Sequence, residues 1–154
     1  MRVVTWNILS GQPTQDGGNL FNAINQLDAD VIALQEVDHL QSRSNEIKTI
    51  EEIAEKCGYI SWAFAPALIG TPGFTWHKAE SIHTHQNPVE LKTSYGIGLL
   101  SRVPVISWHQ LNLNGSPIGL PLLITTPKGM RVAYVADEPR VAIAAVLENG
   151  FTFI

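Results

Sequence analysis

The opening stretch, Arg2 to Val37, constrains this chain more than any other. Arg2 to Ile8 is a short run of Val, Thr, Trp and Ile with β character. Ser10 to Gly18 holds three glycines and a proline and reads as a loop. Asn19 can cap a helix whose Leu20, Ile24 and Leu27 fall on one face. Asp28-Ala29-Asp30 breaks it. Val31-Ile32-Ala33-Leu34 is then an unbroken apolar run, the habit of a strand buried on both faces in a parallel sheet. Strand, helix and strand within about 36 residues make a βαβ unit, its crossover helix covering the sheet.

The remainder reads as one more helix and many strands. Thr49-Ile50-Glu51-Glu52 fits a capping box, followed by Ile50, Ile53, Ala54 and Cys57 on one face and a stop at Gly58. Cys57 on that face is a packed core thiol. Tyr59 to Ala65 alternates as a strand. Residues 66–94 have no clear period and are expected to form a long irregular loop, where specificity would be set. Strands are expected at Tyr95–Ser101, Val105–Leu113, Gly119–Thr126 and Met130–Ala136, with a turn at Pro127-Lys128-Gly129. Val141–Leu147 suits strand or helix. Asn149-Gly150 decides for a hairpin strand that returns through Phe151–Ile154. The fold class is α/β with heavy β content.

Charge excludes some partners. Ten Lys and Arg stand against 14 Asp and Glu, a net charge of −4. No basic face for strong non-specific DNA binding is expected. A cation-dependent enzyme acting on phosphates is not excluded, because the metal supplies positive charge locally. One cysteine excludes an internal disulfide framework. No signal peptide and no membrane span is read, and a cytoplasmic location is the default.

Two polar residues mark a site. Asn7 ends the first strand and Glu36 the second, and the carboxyl ends of adjacent parallel strands share one rim, where open α/β sheets bind ligands. A carboxylate at the edge of a buried strand needs a partner or a cation. An acid beside an amide suits a hard cation with oxygen ligands, Mg²⁺ or Mn²⁺. The alternative is structural: Asn7 caps a turn and Glu36 pairs with an arginine.

Thr5-Trp6-Asn7-Ile8, Asp30 to Val37, and Tyr95-Gly96-Ile97-Gly98-Leu99-Leu100-Ser101-Arg102 together resemble the endonuclease/exonuclease/phosphatase superfamily. Asp137-Glu138-Pro139-Arg140 and the strand after it also resemble the family's middle section. The resemblance spans essentially the whole chain and the amino-terminal part of the family's fold. It implies a single partial domain over 1–154, part of a four-layered α/β sandwich of the deoxyribonuclease I type, with mixed β-sheets flanked by helices. It implies metal-dependent hydrolysis of a phosphate ester in a nucleic acid, a lipid head group or a small phosphodiester. By that resemblance Glu36 is a metal ligand, and Asn7 shapes the site or holds the phosphate. Tyr95, Arg102 and Arg140 lie in segments that line or support the substrate site.

The family's later Thr-His-Leu-like, Gly-Asp-x-Asn and Ser-Asp-His-like motifs have no counterpart here. A shortened, catalytically inactive chain is therefore expected, since loss of one acid–base group alone costs about 10²–10⁴-fold. A non-catalytic binding or assembly module is the alternative. His77, His83 and His85 in the long loop number enough for a zinc site, but solvated or substrate-facing roles are preferred. Charged residues make up 16% against about 25% in an average domain. Mean hydropathy is +0.07. Both figures point to an exposed apolar sheet face and self-association.

Overall fold

The computed structural model describes residues 1–11, 19–116, 119–126, 129–135 and 137–154. Strand β1 (Val3–Asn7) and strand β2 (Val31–His39) run parallel, with Val3 beside Val31 and Asn7 beside Gln35. Helix α1 (Leu20–Leu27) crosses between them. Asn19 caps it as expected: its side-chain oxygen accepts from the backbone N–H groups of Phe21 and Asn22. Ile24 carries the buried face of α1.

Helix α2 (Thr49–Cys57) ends at Gly58 in the left-handed conformation. Its start differs from the expected capping box. Lys48 is the capping residue, with no side-chain cap hydrogen bond, and Thr49 is buried. A β-bridge between His39 and Lys48 holds the chain there, and the helix starts one residue earlier than a Thr49 cap would place it.

Four further strands complete the first sheet: β3 (Ser61–Gly70), β4 (Trp76–Lys78), β5 (His83–Thr84) and β6 (Ser94–Ser101). The order is β1-β2-β6-β3-β4, with β5 also on β3. All pairs but β1–β2 are antiparallel. The irregular loop expected over 66–94 is therefore corrected. β3 runs through Pro66, where a register shift between Pro66 and Leu68 accommodates the missing N–H, and a β3–β4 hairpin follows.

Strands β7 (Val105–Leu113), β10 (Arg140–Leu147) and β11 (Thr152–Phe153) form a second, antiparallel sheet. Val141–Leu147 is thus strand, and Gly150 turns the hairpin into β11 with φ +87°. Strands β8 (Leu120–Thr126) and β9 (Gly129–Val135) make a separate two-stranded ribbon. Pro127 and Lys128 of the expected turn, Ala136, and most of the expected loop at Ser10–Gly18 lie outside the described residues.

Two cores explain the apolar run in β2. Ile32, Leu34 and Val37 face α1 and α2, packing with Ile24, Ile50, Ile53, Phe64 and Leu100. Val31 points the other way, joining Ala63, Ala65 and Leu99 against Ile143, Ala145 and Leu147 of the second sheet. The fold is α/β: a helical layer on a mixed sheet, with a second sheet on its far face. Beyond β1 and β11 an apolar groove of about 400 Å³ is left between the sheets, lined by Val3, Ala33, Val141 and Phe153 among others. Among the described residues no helix is long and apolar enough to cross a membrane.

Candidate active site

The rim at the carboxyl ends of β1 and β2 gathers most of the expected residues. The Asn7 side-chain amide donates to Glu36 Oε1 at 2.7 Å, and Asn7 Oδ1 accepts from the Leu9 backbone N–H at 2.9 Å. One amide thus clamps the turn after β1 to the carboxylate at the end of β2. A bulge sets Glu36 in place. Leu34 pairs with Gly98 and Val37 with Gly96, so β2 spends one residue more than β6 over this step. Glu36 lies inside the bulge with φ +55°, a conformation few non-glycine residues adopt. Bulges re-aim side chains next to active sites, and such outliers cluster there.

Sequence reasoning missed a neighbour of this pair. The Asp38 side chain is completely buried and accepts from Arg43 Nε at 2.8 Å and from a terminal Arg43 nitrogen at 2.6 Å. This bidentate pair lifts the Arg43 guanidinium above its ordinary pKa. The same guanidinium lies 5.5 Å from the centre of the Tyr95 ring. Burial first, then the Glu36 charge, pushes the Tyr95 phenol up to about 12, while Arg43 pulls it back. Tyr95 is therefore a neutral hydrogen-bonding group at neutral pH, close enough to Glu36 to feel its charge. The one available signal was the acid two residues after Glu36, with an arginine in the next turn. Gln41, 1% exposed, ties the elements of the rim together: its amide donates to Gly70 O at the end of β3 and to Ser94 O at the start of β6.

The two expected arginines part company. Arg140 opens β10 on the rim side and binds Asp137 at 2.9 Å and 3.2 Å. Beside it Glu138 accepts from the Gly73 backbone N–H at 2.8 Å. Arg102 lies at the opposite end of the sheet, because β6 is antiparallel to β2: Ser94 pairs with His39, and Ser101 with Val31. There it bonds Asp28 at 2.8 Å and covers the Tyr59 ring. The structure does not bring Arg102 to Asn7 and Glu36.

Nor are the histidines there. His83, expected to be solvated or substrate-facing in the long loop, is 4% exposed; its Nδ1 accepts from the Val89 N–H at 2.8 Å, so Nε2–H donates to Glu51 at 3.0 Å. His85 sits on the Trp62 backbone, and His77 is exposed on β4. His39 turns to the helical side of the sheet and stacks on Phe64. Among the described residues no group of three His, Cys, Asp or Glu is arranged to hold a metal ion.

His39 is buried, and among the described residues its Nε2 has no hydrogen-bond partner. Burial pushes it down to about 4; Glu51 opposes the shift, and His83 and Lys48 add to it. An unfolded histidine titrates near 6.5. Between the two values the unfolded chain holds the extra proton, so stability is complete above about 6.5 and falls as the pH drops toward 4. The expected loss is on the order of 3 kcal/mol. Urea melts at pH 7 and 4.5 will show this slope, and His39→Phe will remove most of it. An unchanged slope in the variant would refute the assignment.

A family model closes the question of kinship. It describes the Endonuclease/Exonuclease/phosphatase family and matches residues 4–147. The chain belongs to this family. No curated protein and no solved structure matches it significantly. The Endonuclease/Exonuclease/phosphatase family is one of phosphoesterase-type hydrolases that generally depend on a divalent metal. Its match runs from β1 to the end of β10, so it takes in the Asn7–Glu36 pair, the bulge and Arg140.

Proposed function

We propose that this chain carries the cation- and phosphate-binding rim of a divalent-metal-dependent phosphoesterase. The Asn7–Glu36 hydrogen bond across the ends of two parallel strands, within a bulge that fixes Glu36, carries the reading. One carboxylate on a rigid strand end suits Mg²⁺ or Mn²⁺, which bind through one or two carboxylates and complete their shell with water and substrate phosphate. The donor set is thus compatible with such a cation and does not resemble a zinc cage.

Glu36 is the ligand in this proposal. Asn7 orients it: the amide N–H₂ faces the carboxylate and the amide oxygen is engaged by Leu9. Tyr95 offers a neutral donor to a phosphoryl oxygen, and Arg140 a cation at the same edge. When bound, the cation neutralises charge building on the phosphoryl oxygens. Turnover also needs a base to orient water, and the chain's five histidines have no hydrogen bond to Asn7 or Glu36 among the described residues. The chain alone is therefore expected to bind without turning over. Bis-p-nitrophenyl phosphate and nicked plasmid, assayed with Mg²⁺ and Mn²⁺, should give no rate above background. Metal-dependent turnover that vanishes in Glu36→Ala would overturn the non-catalytic part of the proposal.

The groove between β1 and β11 supports a second role, assembly through an apolar face. Ile154, 93% exposed, adds to that face.

A further inference from the structure

The β8–β9 ribbon has an apolar face that nothing among the described residues covers. Its strands pair with each other from Leu120–Val135 to Thr126–Gly129, and with no other strand among the described residues. Directly opposed residues share a face. Leu123 opposes Val132 and Thr125 opposes Met130, so these four lie on one side together with Pro121. Leu123, Val132 and Met130 are 65%, 57% and 71% exposed. A lone two-stranded hairpin is marginal in water, and this one turns Leu123, Val132 and Met130 outward.

A second apolar outcrop adjoins the ribbon's base. There the Ser116 N–H donates to Asp137 at 2.8 Å. The next residue, Glu138, holds Gly73, and Phe74 follows it, 83% exposed. The ribbon's own charge is one-sided, with Glu138 an anion at its base. Residues 119–135 contain no Asp or Glu and two cations, Lys128 and Arg131. Lys78 adds a third at the base, donating to Asn114 Oδ1 at 2.6 Å. Asp137 is offset by Arg140.

We propose that this ribbon and Phe74 dock the chain on the surface of a lipid bilayer carrying anionic head groups. The residues on this face carry two hydroxyls, Thr125 and, opposite Pro121, Tyr134, which is few for directional contact. A protein interface needs about one hydrogen bond per 100–200 Å², whereas a fluid acyl boundary needs none. Arg131 on the other face reaches head-group level along its apolar stem. Each apolar side chain that enters the boundary strengthens binding by about tenfold. Each cation at an anionic surface adds about fivefold. The proposal goes beyond the phosphoesterase reading and stands whether or not that reading does.

The test is cosedimentation of the full chain with vesicles of phosphatidylcholine and phosphatidylserine in equal parts, and with phosphatidylcholine alone. The chain should sediment with the mixed vesicles, less with neutral ones, and less in raised salt. The double variant L123D/V132D should lose binding by about tenfold or more. Arg131→Ala should lose about fivefold, and Phe74→Ser should also weaken it; both decide the matter if the double variant loses its near-ultraviolet circular dichroism. No sedimentation of the wild type, or wild-type binding by Arg131→Ala and Phe74→Ser, overturns the proposal. So does a dimer in light scattering that Leu123→Asp dissociates, since the face would then belong to a second copy.

Discussion

Gly96→Ala will cost on the order of 4 kcal/mol or more, a large share of the roughly 5–15 kcal/mol that holds an ordinary domain folded. A Cβ at position 96 would stand 2.1 Å from Ala65 O, 2.7 Å from Pro66 Cα and 2.9 Å from Ala65 C. These are backbone atoms, so no side chain can swing aside. β6 lies between β2 and β3 and is hydrogen-bonded to both, so it cannot retreat without opening one ladder. The approach is close because both neighbours bulge at this level, β2 between Leu34 and Val37 and β3 between Pro66 and Leu68. Urea denaturation measures the effect. A midpoint within error of the wild type would show that the strands around the candidate site are not packed as described.

Glu36→Ala will lower Mn²⁺ affinity on the order of a hundredfold, and Asn7→Ala about tenfold. The two differ because Glu36 supplies the charge while Asn7 holds it in one rotamer through the 2.7 Å hydrogen bond. Arg102→Ala should leave the affinity unchanged, since Arg102 bonds Asp28 at the far end of the sheet. Calorimetry on the three variants separates the rim from the rest of the molecule. Equal losses in all three would point to a general loss of folding, and no loss in Glu36→Ala would remove the carboxylate from the site.

The βαβ start was legible because its signals are local. Asn19 caps the helix it precedes, Leu20, Ile24 and Leu27 share a face, and Val31 to Leu34 is apolar because the sheet is buried on both sides. Legibility failed where tertiary contacts set the backbone. β2 continues through Gln35 to His39, but the bulge at Glu36 breaks the two-residue period. Pro66 reads as a strand end, yet a register shift absorbs it. The Thr49 capping signal yields to the His39–Lys48 bridge.

The site was legible in part. Asn7 and Glu36 meet because adjacent parallel strands must end together. Arg102 was grouped with Tyr95 although a strand of seven steps spans roughly 23 Å, enough to carry it to the other edge. Arg43 escaped notice because its partner, Asp38, is buried only by the finished sheet.

The central claim is that the Asn7–Glu36 rim holds a divalent cation. Mn²⁺ titrated into isotopically labelled chain tests it most directly, because the paramagnetic ion broadens only nearby amide signals. The amides of Asn7, Leu9, Glu36 and Val37 should broaden first, and Glu36→Ala should abolish the effect. Broadening centred on His77, His83 or His85, or no selective broadening at the rim, would contradict the claim.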